Sequence, residues 1–196
     1  MKLNTPNKLT IARMIISPLF LAVILWDSLP HRFLLALVIF SVASITDAID
    51  GKLARKYNQI TNFGKLLDPI ADKVLTTAAL LAFMKLELCN IWIVMIVLTR
   101  EFAIASIRMI AASNGVVIPA NIWGKLKTVS QMVFTVLIMF LCEVYYILEH
   151  SFAEVFSKMP SLSIISNSLL WITAILTIIS GVIYIKDSKN SIDYSK

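Results

Sequence analysis

Charged residues make up only 15% of this 196-residue chain, against about 25% in an ordinary soluble domain. Apolar residues fill 58% of it, and the mean hydropathy is +0.81. That combination excludes a disordered chain and a soluble globule. Cysteine occurs only at Cys89 and Cys142, with no C-x-x-C spacing. This excludes a disulfide scaffold and a cysteine-ligated metal site, and the two thiols read as buried apolar side chains. Histidine is equally rare: His31 and His150 have no partner at ligand spacing, so neither is given a chemical role. With five glycines and six prolines there is no low-complexity tract, and no internal repeat or linker divides the chain. Residues 1–196 therefore read as a single membrane domain.

What the chain has in quantity is long apolar runs. They fall at 8–27, 33–55, 63–85, 90–112, 122–146 and 163–186, each about 20 residues or more, enough for a hydrocarbon core of ~30 Å. The expected fold class is an all-α integral membrane protein with six transmembrane helices. The apolar stretch 14–26 is short enough to resemble a signal-peptide core, but it lacks a small-x-small cleavage site and a second apolar segment follows at once, so it reads as a mature span. With the N-terminus in the cytoplasm, only Arg32, Lys85 and Lys158 of the 18 cations lie at outer ends. The positive-inside rule therefore places both termini in the cytoplasm. The net charge of +6 becomes a signal of topology and of attraction to anionic lipids, and no nucleic-acid partner is expected. Trp26, Trp92 and Trp123 near span ends read as interface anchors. Thr5 before Pro6 reads as a helix N-cap. Polar connections are expected at 56–62 (KYNQITN) and 113–121 (SNGVVIPAN), and 149–161 is either an amphipathic surface segment or a loop.

Against this background four of the 12 acidic residues crowd into positions 47–72: Asp47, Asp50, Asp68 and Asp72. The first two are spaced i,i+3 and the last two i,i+4, so each pair shares one face of its helix. Helices joined by a short connection are expected to be antiparallel neighbours, which lets the four carboxylates converge. Asp47 lies about 21 Å of helix beyond Arg32, and Asp72 about 18 Å before Lys85, which places them below the inner surface of the membrane. Intramembrane carboxylates normally face a cavity, a cation or one another. An all-oxygen cluster suits a hard cation such as Mg²⁺, Mn²⁺ or Ca²⁺. Gly51 and Ala54 follow Asp47 on the same face and leave room for a ligand, Arg55 can contact phosphate in a forked geometry, and Gly64 repeats the small-residue device one turn before Asp68. Pro69 is expected to bend the third span. Together these describe a site for a nucleotide diphosphate, and no P-loop motif is present. A structural or ion-conducting acidic cluster, as in a divalent-cation transporter, is the competing reading. Such a carrier should show inverted repeats or broken helices, and neither is found.

Asp47-x-x-Asp50-Gly51-x-x-Ala54-Arg55, eight residues, then Gly64-x-x-x-Asp68-x-x-x-Asp72 resembles the full signature of the CDP-alcohol phosphatidyltransferases, with all eight specified residues in register. The six-span layout extends the resemblance to most of the chain. The resemblance implies a multi-pass enzyme of the cell membrane, commonly a homodimer, with its active site facing the cytoplasm. Such enzymes transfer a phosphatidyl group from CDP-diacylglycerol to an alcohol, release CMP and use two divalent cations, Mg²⁺ or Mn²⁺. On the matching positions Asp47, Asp50, Asp68 and Asp72 would hold the metals, and Asp72 would also be the general base. Gly51, Ala54, Arg55 and Gly64 would line the nucleotide pocket.

The acceptor is suggested by cations farther along. Arg100 and Arg108, eight residues apart, fall broadly on one side of the fourth span, and Lys125 and Lys127 open the fifth. Buried cations near the acidic site suit an anionic acceptor, whereas a cationic one calls for acidic or aromatic groups. Thr99-Arg100-Glu101-Phe102 with the later Gly124-Lys125-Leu126-Lys127-Thr128 looks like the phosphatidylglycerophosphate synthases, whose acceptor is sn-glycerol 3-phosphate. Arg100, Arg108 and Lys125 are the candidates for its phosphate, and another anionic acceptor such as inositol phosphate is the alternative. Counter-ions for the acidic cluster or positive-inside anchors are the plainer roles for these residues. Asn7, Thr10 and Arg13 make a polar face at the start of the first span; similar family members share this entry. It is assigned to the wall of the nucleotide or acceptor pocket, with Arg13 toward the acceptor phosphate. Glu101 projects about 100° away from Arg100, so a direct pair between them is not expected, and a Lys or Arg on a neighbouring span is the preferred partner.

Overall fold

The computed structural model describes residues 5–56, 62–113, 121–151 and 159–189, with side chains described outside 5–9, 47–56, 62–69, 72, 112–113 and 189. Among them every regular element is helical: α1 (Thr5–Ile24), α2 (Arg32–Lys56), α3 (Asn62–Lys85), α4 (Ile91–Ser113), α5 (Ile122–Ser151) and α6 (Leu162–Lys189). Each expected span falls on one helix, with ends displaced by a few residues. The clearest difference is at α5, which stays helical through Ser151, because His150 Nδ1 and the carbonyl of Tyr146, one turn back, lie 2.8 Å apart. The start of the 149–161 segment is thus helix rather than loop; the connections at 57–61 and 114–120 and residues 152–158 lie outside the described residues. α3 continues as helix across Pro69.

α5 and α6 are long and apolar enough to cross a bilayer, and α1 and α2 carry shorter apolar stretches over Thr10–Ile24 and Arg32–Thr46. The distribution of side chains tells the same story. Ile15 of α1, Trp92 of α4, Ile122 of α5 and Ile164 of α6 are each at least two-thirds exposed, while Thr10, Ser17, Thr135, Ser166, Thr177 and Ser180 are buried. Apolar surface of this extent has no stable place in water. Polar groups turned inward are what a lipid environment demands, and Ser17, Ser166, Thr177 and Ser180 donate to carbonyls of their own helices. The fold is that of an all-α membrane protein.

The chain falls into two compact units. One comprises Met1–Leu86 with Thr135–Leu162, the other Glu87–Phe134 with Ser163–Lys196. In the first, α1 packs against both α2 and α3. Its core is Phe20, Ile24, Phe40, Leu80 and Phe83, with the rings of Phe20 and Phe40 tilted at a centroid distance of 5.8 Å. In the second, Ile93 and Val97 of α4 and Leu170 and Ala174 of α6 are buried. The start of α6 is tied down there by Ser163 Oγ, which donates to the carbonyl of Glu87 at 2.7 Å, and by Asn167 Oδ1, which accepts from the amide of Asn90 at 2.8 Å.

Glu143, on the part of α5 that belongs to the first unit, is a buried carboxylate that the sequence reading gave no role. Its Oε2 accepts the amide of Leu34 at 3.1 Å, and its Oε1 lies 2.5 Å from Nδ1 of His31. The first amides of α2 have no partner within that helix. A carboxylate placed there satisfies one of them and meets the positive end of the helix dipole. His31 precedes the helix with φ of 53°, the left-handed conformation that histidine tolerates better than most residues. Its carbonyl accepts the amide of Leu35 at 3.1 Å. The cap of α2 is therefore supplied by a distant helix. Both cysteines are buried and unpaired, as expected of apolar thiols; burial pushes the thiol of Cys89, between α3 and α4, up to about 12. Replacing Glu143 with alanine is expected to cost about 2 kcal/mol, the scale of a hydrogen bond to a charged group, and glutamine about half of that. The check is the thermal midpoint of the detergent-solubilised protein, and an Ala variant as stable as the wild type would rule out this cap.

Candidate functional site

The acidic motif occupies two helical segments of the first unit. Asp47, Asp50, Gly51, Ala54 and Arg55 lie in the last ten residues of α2, and Gly64, Asp68 and Asp72 in the first eleven of α3. Helical backbone at both places gives the spacings their meaning: Asp47, Asp50, Gly51 and Ala54 share one side of α2, and Gly64, Asp68 and Asp72 one side of α3. The side chains of these eight residues lie outside those described. Among the described residues no three His, Cys, Asp or Glu side chains make a metal site. The fit of the motif to a cation thus rests on its donor chemistry, carboxylate oxygen only, which favours hard divalent ions.

α1 packs against both helices that carry the motif. Thr10 and Arg13 of α1, three residues apart, are both buried. They form the inward polar face expected there, and the Asn7 side chain falls outside the described set. A guanidinium inside a helical core persists only where anions or carbonyls compensate it.

The second unit holds the basic cluster. Arg100 donates from Nη1 to Glu101 Oε1 at 2.9 Å, and Lys127 donates from Nζ to the same oxygen at 2.6 Å. The contact with Lys127 matches the expectation of a partner on a neighbouring helix. The contact with Arg100 corrects the expectation that no direct pair forms. The angle of 100° describes where side chains leave the backbone, and the long, jointed arginine bends back to share the oxygen with Lys127. The rest of the Arg100 side chain runs past two glycines. A Cβ on Gly124 of α5 would stand 3.2 Å from Arg100 Nη2, and one on Gly181 of α6 would stand 3.3 Å from its Cγ. Arg108 also turns to α6, donating from Nε to the Tyr184 hydroxyl at 3.2 Å with its guanidinium 5.3 Å from the centre of that ring. Gly181 and Tyr184 are three residues apart, so both arginines face one side of α6, as the spacing of eight implied.

Of the two lysines at the start of α5, Lys125 is exposed and Lys127 is buried. The helical period explains the division. Gly124, Lys127, Gln131 and Thr135 repeat at three- and four-residue steps and form one inward stripe, whereas Lys125 lies off it. That stripe is the sequence signal that separates them. Tyr184 carries a comparable signal in the stripe Thr173, Thr177, Ser180, Tyr184 and Ser188, all buried.

Residues 3–179 match the family model described as CDP-alcohol phosphatidyltransferase. Curated relatives named CDP-diacylglycerol–glycerol-3-phosphate 3-phosphatidyltransferase share the chain almost end to end. That of Bacillus subtilis (strain 168) is 36% identical over 198 residues, covering 95% of each chain. That of Rickettsia felis is 37% identical over 187 residues, covering 95% of this chain and 96% of the relative. That of Haemophilus influenzae is 34% identical over 197 residues, covering 98% and 97%. The match takes in the complete acidic motif and reaches from α1 into α6, and the chain belongs to the CDP-alcohol phosphatidyltransferase family.

Proposed function

We propose that this protein transfers the phosphatidyl group of CDP-diacylglycerol to sn-glycerol 3-phosphate and releases CMP, the reaction for which its full-length relatives are named. The observation that carries the choice of acceptor is the basic cluster of the second unit. Two guanidinium groups turned toward one side of α6 suit a phosphate-bearing acceptor and repel a cationic one. The low-charge, lipid-compatible exterior suits a donor whose acyl chains stay in the bilayer. The reading includes six membrane spans, both termini and the active site on the cytoplasmic side, and phosphatidylglycerol synthesis as the outcome. A homodimer is the assembly that the family likeness implies.

In this reading Asp47, Asp50, Asp68 and Asp72 hold two divalent cations, Mg²⁺ or Mn²⁺. When bound, these neutralise the diphosphate and stabilise the attacking and leaving oxygens. Asp72 takes the proton from the attacking hydroxyl of glycerol 3-phosphate. A new bond forms between that oxygen and the phosphorus bearing the diacylglycerol, the bond from this phosphorus to the bridging oxygen breaks, and CMP leaves with the electron pair. Gly51, Ala54 and Gly64 give the nucleotide access to the helix backbone, and Arg55, Asn7 and Thr10 bind its polar groups. Arg100, Arg108 and Lys125 recognise the acceptor phosphate, and the same charge argument assigns Arg13 to phosphate. Transfer of this kind depends mainly on positioning and charge neutralisation, with one base to receive a proton.

Purified protein given CDP-diacylglycerol, Mg²⁺ and glycerol 3-phosphate is expected to release CMP, to stop when EDTA removes the metal, and to work poorly or not at all with inositol phosphate. No CMP with either acceptor defeats the enzyme reading, and CMP with inositol phosphate alone defeats the choice of acceptor. Asp72→Asn should lower kcat by about 10² to 10⁴, the usual contribution of a general base, while metal binding persists; full turnover in that variant removes the assignment. Tyr184→Phe keeps the ring under Arg108 and deletes the hydroxyl. A loss of about 1 kcal/mol, roughly fivefold, is expected in the KM for glycerol 3-phosphate with little change in kcat, and an unchanged KM counts against Arg108 as a phosphate ligand.

A further inference from the structure

A carboxylate inside a cluster built to bind an anion is at first sight an obstacle. Glu101 sits there, its side chain mostly buried, and meets both Arg100 and Lys127 through one oxygen, Oε1. Its geometry resolves the conflict. A guanidinium has two edges able to grip an oxyanion with paired hydrogen bonds, one formed by Nη1 and Nη2, the other by Nε and Nη2. Glu101 occupies Nη1 and thereby uses up the first edge. The second edge remains: Nε is buried and has no hydrogen-bond partner among the described residues. Nη2 packs closely on Gly124, where an added Cβ would stand only 3.2 Å away, so a larger residue at this position would press on the guanidinium. Gly181 lies as close to the stem, 3.3 Å from Cγ to a Cβ built there. Lys127, almost wholly buried, is held by the same oxygen at 2.6 Å.

We propose that Glu101 is a positioning residue for the acceptor: it clamps Arg100 and Lys127 and leaves the Nε and Nη2 edge of Arg100 as the one that takes the phosphate of the incoming alcohol, with Gly124 letting the guanidinium lie close against α5. This deepens the function proposed above and rests on it. Glu101 touches no reacting atom. It converts a mobile guanidinium into a fixed fork, so that less ordering is left for the ligand to impose on binding.

The test is steady-state CMP release by the purified full-length protein, varying glycerol 3-phosphate and CDP-diacylglycerol in turn. Glu101→Gln keeps the shape and removes the charge. It is expected to raise the KM for glycerol 3-phosphate about tenfold, while kcat and the KM for CDP-diacylglycerol stay within about threefold. Glu101→Asp, which keeps the charge on a shorter arm, should recover part of that loss. Gly124→Ala, which crowds Nη2 without touching the carboxylate, should raise the same KM about threefold. A Glu101→Gln enzyme with an unchanged KM for glycerol 3-phosphate, or with both KM values raised alike, overturns the proposal. Should that variant fail to fold, Gly124→Ala decides by the same criterion. A wild-type protein that makes no CMP from glycerol 3-phosphate overturns the functional reading and this proposal together. A wild-type protein that does, beside variants that leave its KM untouched, overturns this proposal alone.

Discussion

The constraint on which the structure depends is the need to compensate charge wherever water is excluded. An ion taken out of water loses several kcal/mol of solvation that only another charge or a set of hydrogen bonds can offset. A helical protein with an apolar exterior can therefore keep few charges, and each must have a partner. Glu143 spans from α5 to the open amides of α2 and to His31. Glu101 holds two cations on one oxygen. Arg108 rests on a tyrosine that supplies both a ring face and a hydroxyl. In each case at least one partner comes from another helix, Leu34 of α2, Lys127 of α5 and Tyr184 of α6, so the compensation of charge also ties helices together.

The same constraint separates structural from chemical charges. Glu143 completes a helix end and is satisfied by groups the fold itself supplies. The cluster around Arg100 is different, because one carboxylate faces two cations and an Nε–H remains unmet among the described residues. A guanidinium with an unmet donor has its best partner in an anion that comes and goes. The acidic motif of α2 and α3 has the opposite sign, four carboxylates whose proposed partners are divalent cations. A reaction that brings a diphosphate with its divalent ions and a phosphorylated alcohol satisfies both.

Much of this was legible in the sequence, because a membrane chain writes its helices as apolar runs. All six runs fall on helices, and the motif residues lie in the helical segments that their spacing requires. Where the reading fell short, the missing information was the partner. Nothing in the run around Glu143 says that its carboxylate caps a helix more than a hundred residues earlier in the chain, since that pairing is set by packing. Helical projection alone does not reveal the Arg100 and Glu101 pair, because it ignores the reach of a long side chain with several free torsions. Lys125 and Lys127 look alike in composition, and only their register on the α5 stripe separates the exposed one from the buried one. That register was readable from Gly124, Gln131 and Thr135.

Glycine carries the last part of the argument. The chain has only five, and within a helix each is less favourable than alanine by about 0.5–1 kcal/mol. Four of them, Gly51, Gly64, Gly124 and Gly181, nonetheless stand inside helices. Gly51 and Gly64 belong to the acidic motif, and Gly124 and Gly181 flank Arg100. At the latter two the structure shows what the missing Cβ achieves, since any larger residue would press on the arginine within 3.2 or 3.3 Å. In a protein so short of glycine, helical positions that forgo alanine are places where a side chain or ligand has to come close to the backbone. Their coincidence with the two charge clusters links the scarcity of glycine to the scarcity of charge: both are relaxed at the same positions, and those are the positions where the chemistry is proposed to occur.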